Sequence, residues 1–402
     1  MAAVVTGIGV TAPNGVGIDE YWAATLAGRS GLGPITRFDP GRYRVQVGGE
    51  VTDRGDLRVP GRLAVQTDRW SHLGVIAAGL ALADATVTPA FLPEYEMAVV
   101  TASSSGGTEF GQKEIEKLWS KGPQHVSAYQ SIAWFYAATT GQLSIKHGMR
   151  GPSGVICSEQ AGGLDSLAQA RRLIRQGTRL VLGGGTDASL SPYGLVAQMS
   201  TGRLSERGEY RPFDPEASGY LPGEGGAIVV VEDLAEALSR GAVPYGVIAG
   251  HGATFDVAGR EPGLRRAAEL ALADAGVPAS TVDVVFADAV GLPAPDRVEA
   301  DAIRALFGPH GVPVTAPKTM TGRMYGGGSS LDVVAALLAI RDGAVPPTVG
   351  TTTVVPDYEL DLVLGQARRL PVRTALILAR GWGGFNSALV LTATAANETG
   401  TE

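Results

Sequence analysis

Two eight-residue segments of this chain match in pattern, and the duplication they imply narrows the available folds more than any other feature. Val4-Val5-Thr6-Gly7-Ile8-Gly9-Val10-Thr11 aligns without gaps on Val247-Ile248-Ala249-Gly250-His251-Gly252-Ala253-Thr254, at a constant offset of 243 positions. Each copy reads as an apolar strand ending in Gly-x-Gly and then a loop, and each opens one half of the chain. This predicts a duplicated α/β unit with halves 1–245 and 246–402. At 402 residues, 45% of them hydrophobic, the chain is long enough for each half to carry a core.

Strand–helix alternation supports the same class. Apolar runs at Met97–Thr101, Gly154–Cys157, Arg179–Gly183, Ala227–Val231, Val282–Ala287, Val312–Ala316, Thr374–Leu378 and Ser387–Leu391 predict strands. Leu164–Gln176, Gly263–Ala275, Val298–Leu306 and Ser330–Asp342 carry helical periodicity. Gly185–Gly226 reads as a long polar loop, and the tail Ala393–Glu402 as frayed. Gly7-Ile8-Gly9-Val10-Thr11-Ala12 fits the loose dinucleotide pattern. The repeat copy breaks it at Phe255, however, and no acidic residue stands at the ribose position. Gly223-Glu224-Gly225-Gly226 lacks the Lys-Ser/Thr of a phosphate loop, so both glycine runs read as tight turns.

A net charge of -7 argues against nucleic acid as a partner. The single cysteine, Cys157, rules out an internal disulfide. The start, Met1-Ala2-Ala3-Val4-Val5-Thr6-Gly7, makes a poor signal peptide and a good first strand. No run approaches the ~20 apolar residues of a membrane span. These readings suit a cytoplasmic protein with no membrane association. None of the five histidines, His72, His125, His147, His251 and His310, has metal-ligand spacing.

The segment Gly154-Val155-Ile156-Cys157-Ser158-Glu159-Gln160-Ala161-Gly162-Gly163-Leu164-Asp165 reads as a buried strand passing through a small-residue turn into a helix. Such an elbow aims one side chain at the positive end of a helix dipole, where a thiol would be held as thiolate. The residue at the apex is Gln160, a neutral amide that cannot attack a thioester. Cys157 falls three residues earlier, on the strand, and reads as a small buried residue.

Val4-Val5-Thr6-Gly7-Ile8-Gly9, Phe38-Asp39-Pro40, the elbow with Gly163-Leu164-Asp165, Arg211-Pro212-Phe213-Asp214, Gly223-Glu224-Gly225, Lys318-Thr319 and Gly381-Trp382-Gly383-Gly384-Phe385-Asn386 follow one another in order. With them the chain resembles the thiolase-fold ketosynthases over essentially its whole length. The resemblance implies a thiolase-like fold, its two duplicated α/β halves stacked in α-β-α-β-α layers. It also implies a centre of one cysteine, which carries the acyl chain, and two histidines, which donate hydrogen bonds to the thioester oxygen as enolate charge builds. On this pattern Gln160 replaces the cysteine. Asp288, in Phe286-Ala287-Asp288-Ala289-Val290, replaces the first histidine. Arg323, in Lys318-Thr319-Met320-Thr321-Gly322-Arg323, replaces the second, and Lys318 is kept.

That triple departure is similar to the chain length factor, the ketosynthase beta subunit of bacterial type II aromatic polyketide synthases. The likeness implies a non-condensing subunit that shapes the polyketide tunnel and sets chain length. Its implied partners are a ketosynthase alpha subunit, in a heterodimer or a dimer of heterodimers, and an acyl carrier protein. Substrates would arrive on the carrier's phosphopantetheine, with no cofactor bound by this chain. An anionic Asp288 would repel enolate charge, and the permanent cation Arg323 is expected to pair with it in a buried ion pair. Two other readings stay open: a malonyl-carrier-protein decarboxylase that supplies an acetyl primer through Gln160, and a homodimeric acyltransferase of another mechanism.

Thr108–Gly122 predicts a helix with Glu109, Lys113, Glu114, Glu116 and Lys117 on its polar side and Gly111, Ile115, Leu118 and Trp119 on the other. Thr108, Gly111 and Ile115 share a face, by their i, i+3, i+7 spacing. An ordinary packing face would read the same way. In chain length factors this face lines the end of the tunnel, so the resemblance implies that small residues here leave room for about ten or more ketide units. Gln124–Gly148, with Tyr129, Trp134, Phe135 and Tyr136, is the candidate interface segment, although an internal core would look alike.

Overall fold

The computed structural model describes residues 1–52 and 59–394. Eleven strands lie side by side. They are β1 Ala3–Ala12, β2 Met97–Ala102, β3 Ser153–Ile156, β4 Leu180–Ala188, β5 Glu224–Asp233, β6 Gly246–Phe255, β7 Val284–Phe286, β8 Pro313–Thr315, β9 Asp361–Leu362, β10 Thr374–Gly381 and β11 Phe385–Thr392. A twelfth, Gly15–Val16, hairpins onto β1. The order is β9-β8-β7-β10-β11-β6-β1-β5-β4-β2-β3.

The order is the repeat written in hydrogen bonds. Outward from the centre, one half reads β1-β5-β4-β2-β3 and the other β6-β11-β10-β7-β8, with matching parallel and antiparallel pairings. β1 and β6 join the halves through Val4 opposite Val247, residues that also correspond in the repeat. Each central strand skips one residue in its register: Thr6 between Val5 and Gly7, and Ala249 between Ile248 and Gly250. A bulge duplicated at the same point of both copies is a feature of the unit and not a local accident.

The main helices are α1 Arg69–Asp84, α2 Thr108–Lys121, α3 Gly162–Arg175, α4 Leu264–Ala275, α5 Pro293–Phe307 and α6 Tyr325–Asp342. α3 and α6 lie between the half-sheets, in a core that takes Val5, Val10 and Val100 from one half and Phe286, Ile377 and Leu389 from the other. α1 covers one outer face and α4 the other, which completes the α-β-α-β-α layering. α6 is buried from Gly326 to Ile340, so it has no polar stripe.

The Gly-x-Gly pairs belong to these layers. A Cβ on Gly7 would lie 2.2 Å from the Ala81 carbonyl oxygen, and one on Gly9 1.8 Å from that of Ala77. Gly250 and Gly252 repeat the arrangement against Ala271 (2.2 Å) and Ala267 (2.1 Å). These glycines let α1 and α4 press backbone to backbone on the central strands. Both strands run straight through them, so no turn follows the Gly-x-Gly.

One expectation needs correction. Gly185–Gly226 is not one long polar loop: it holds the end of β4, a helix Pro192–Met199 and the start of β5, with Tyr210, Phe213, Tyr220 and Leu221 buried. Its apolar residues come singly among polar ones, which leaves no period to read. α1 escaped the sequence reading because it is buried on most sides, with Gly74 and Gly79 inside it. Of the tail, residues 395–402 lie outside the described residues.

Candidate functional site

The elbow begins at the sheet's edge. β3 pairs only with β2 among the described residues and is half-exposed instead of buried. Cys157 lies past the end of β3 and is exposed, contrary to the buried residue expected of it. An edge strand has no second neighbour to cover it, which explains both differences. Partial desolvation, then the Asp187 carboxylate, raises the Cys157 pKa, so the only thiol is poorly ionised.

Gln160 follows in a single turn, Glu159–Ala161, directly before α3. Glu159 takes a left-handed φ of 53°, the strained point of the elbow. Its carboxylate accepts from the Gln160 N–H at 2.7 Å and the Trp382 N–H at 3.1 Å. The Gln160 side chain is 1% exposed, and neither its Oε1 nor its Nε2 has a hydrogen-bond partner. It packs against the start of α6, where a Cβ on Gly328 would come within 2.6 Å of Nε2.

Asp288 and Arg323 form the expected ion pair. Both are buried, and Arg323 Nη2 stands 3.0 Å from Asp288 Oδ1. Arg323 also donates to the Asp288 carbonyl (2.5 Å) and the Arg380 carbonyl (3.2 Å), and stacks over Tyr220 with 5.3 Å from Cζ to the ring centre. The Arg380 N–H donates to Asp288 Oδ1 at 2.9 Å. Burial alone would raise the Asp288 pKa, but Arg323 and then Lys318 outweigh it and hold the carboxyl below its ordinary range. Lys318 is buried too, donating to the Ala287 carbonyl and pairing with Asp332 of α6 at 2.7 Å.

The sequence reading did not find the groups that hold this constellation. Glu299 of α5 accepts from the Asp288 N–H (2.6 Å) and the Ala289 N–H (2.8 Å), and Asp296, one turn earlier, accepts from Phe213 and Gly291. Burial, then Asp288, pushes Glu299 up to about 7. The centre therefore offers no nucleophile and no imidazole, and its cations, Arg323 and Lys318, are both buried and paired with carboxylates. Its polar atoms without a hydrogen-bond partner include both ends of the Gln160 amide and Asp288 Oδ2. Among the described residues no group of three or more His, Cys, Asp or Glu could hold a metal ion. No helix among them is long and apolar enough to cross a membrane.

The helix expected over Thr108–Gly122 is α2, but its sides are partly exchanged. Glu114, placed on the polar side, is buried, with its carboxylate on the Ser127 N–H (2.6 Å) and Lys117 (2.6 Å). Ile115, Leu118 and Trp119 face outward, Trp119 with 83% of its surface free. Thr108 and Gly111 are buried and Ile115 half-exposed, with the Trp134 ring lying over Gly111. Tyr129, Phe135 and Tyr136 are also exposed.

The beta-ketoacyl synthase N-terminal domain profile matches residues 2–237, and the C-terminal domain profile matches 245–352. The tetracenomycin polyketide synthase ketoacyl synthase beta subunit of Streptomyces glaucescens is 57% identical over 398 residues, covering 96% of this chain and 97% of the relative. The solved structure of the ishigamide ketosynthase/chain length factor superposes with a TM-score of 0.92 at 30% identity, covering 98% of this chain and 99% of that one. A type II polyketide synthase acyl-carrier protein in complex with its ketosynthase gives a TM-score of 0.89 at 26% identity, with the same coverage. By fold, by the placement of its altered centre and by these likenesses, the chain belongs to the beta-ketoacyl synthase family.

Proposed function

We propose that this chain is the non-condensing beta subunit, or chain length factor, of a type II polyketide ketosynthase. It pairs with an active alpha subunit, shapes the tunnel in which the polyketide grows and sets its length. The carrying observation is the buried Asp288–Arg323 pair at 3.0 Å behind an apical Gln160. A carboxylate and an inward-turned guanidinium stand where an enolate would need neutral donors. Substrates reach the pair on the phosphopantetheine of an acyl carrier protein in the cytoplasm. The duplicated halves divide at 245/246.

The exposed side of α2, with Tyr129, Phe135 and Tyr136, supplies the partner surface, and Thr108, Gly111 and Ile115 bound the tunnel end. The test uses the reconstituted alpha–beta pair with its carrier protein. Thr108→Phe and Gly111→Phe shorten the product by on the order of one or two ketide units, from the volume of a phenyl ring. Unchanged product length in both variants would remove the tunnel reading. One observation favours a second activity: the unpartnered, buried Gln160 amide is free to hold a malonyl thioester carbonyl. Acetyl carrier protein formed from malonyl carrier protein by the isolated chain, and abolished by Gln160→Ala, would establish it.

A further inference from the structure

Gly111 does not face open space. A Cβ built on it would lie 2.5 Å from Cε3 and 2.6 Å from Cζ3 of Trp134. The edge of that indole therefore occupies the notch left by the missing side chain. The backbone under the indole is pinned by neighbouring glycines: a Cβ on Gly107 would meet the Ala133 carbonyl oxygen at 2.0 Å, and one on Gly106 the Trp134 carbonyl oxygen at 3.0 Å. The Trp134 N–H is tied to the Gln130 carbonyl at 3.1 Å. With its backbone fixed and 40% of its surface free, Trp134 can adjust only by moving its ring.

We infer that Trp134 is a specificity-determining residue, the group through which position 111 acts on product length. The inference rests on the chain-length role proposed above. Carbon atoms pack at about 3.5–4.0 Å, so even the methyl of an alanine at 111 must push the indole away by roughly 1 Å. An indole offers on the order of 200 Å² of surface, so its displacement alters the space beside α2 far more than the added methyl does. Residue 111 sets where the ring lies, and the ring forms the wall.

The experiment is a double-mutant cycle in the alpha–beta pair with carrier protein, product length being read by mass spectrometry. Gly111→Ala shifts the main product by at least one ketide unit. Trp134→Ala moves the distribution toward longer chains. Adding Gly111→Ala to Trp134→Ala changes nothing further. Co-purification with the alpha subunit is scored throughout, and where Trp134→Ala does not assemble, the same cycle is run with Trp134→Phe. Unchanged product from both Trp134 variants, while Thr108→Phe still shortens it, overturns the inference and leaves the tunnel reading standing. An equal Gly111→Ala shift with and without Trp134 also overturns it. Failure of Thr108→Phe as well would instead remove the tunnel reading itself.

Discussion

Arg323 directs its donors at Asp288 and the Arg380 carbonyl and lays its plane on Tyr220, so nothing of it is left for a substrate. Removing one member of such a pair strands a buried charge. Arg323→Met or Asp288→Asn should cost about 3–5 kcal/mol in denaturant unfolding, and the Asp288→Leu/Arg323→Met double variant clearly less than the two single costs together. Glu299 gives the site a pH dependence. Its pKa rises from 4.5 to about 7 on folding, so the folded chain keeps a proton that the unfolded chain releases. That contribution is whole below about pH 4.5 and lost as pH rises through about 7. Asp296, pushed up to about 6, acts in the same direction. The Tm should fall from about pH 5 to pH 8, and Glu299→Gln should flatten the slope. At this scale the three altered positions could be read from local motifs. Glu299, Asp296 and Tyr220 could not, because their roles depend on contacts between segments far apart in the chain.

The central strands and the helices laid on them show why some elements were legible and others not. Strands running apolar through the sheet, and α3, α4 and α5 with one polar side each, carry their period in the sequence. α1 and most of α6 are buried all round. The α6 start, Gly326-Gly327-Gly328, is a poor helix former held by its neighbours, which is why periodicity placed that helix only from Ser330. The same tight contacts make the Gly-x-Gly pairs sensitive. Gly9→Ala and Gly252→Ala should each destabilise by about 3 kcal/mol or more, since the strand or helix backbone must retreat. Gly79→Ala, on α1 with no atom within 4 Å of its Cβ, should be neutral or stabilising by up to about 1 kcal/mol. Thermal unfolding of the three variants decides the matter. Equal effects at Gly9 and Gly79 would mean that close approach does not govern these positions.

The two halves share a strand order but not an edge, and that asymmetry bears on where a partner binds. In the second half the two-residue β9 adds one more strand along the outside of β8. In the first half β3 is the outermost strand among the described residues. The segment leading to it carries the exposed Trp119, Phe135 and Ile145. An open edge beside apolar side chains is a surface that a monomer ordinarily avoids. The duplication could be read from eight residues, but the difference between its copies could not. β9 is a two-residue strand without sequence pattern, and the aromatics of Gln124–Gly148 would look the same in a core. If this face carries the alpha subunit, Trp119→Asp and Phe135→Asp should each weaken the pair by about 2 kcal/mol or more, roughly 30-fold in Kd. Val243→Asp, equally exposed but on the connection between the halves, should leave pairing unchanged. Co-purification and titration of the tagged alpha subunit measure this. Normal pairing by both aromatic variants would mean that the alpha subunit seats elsewhere and that the open edge of β3 meets a different molecule.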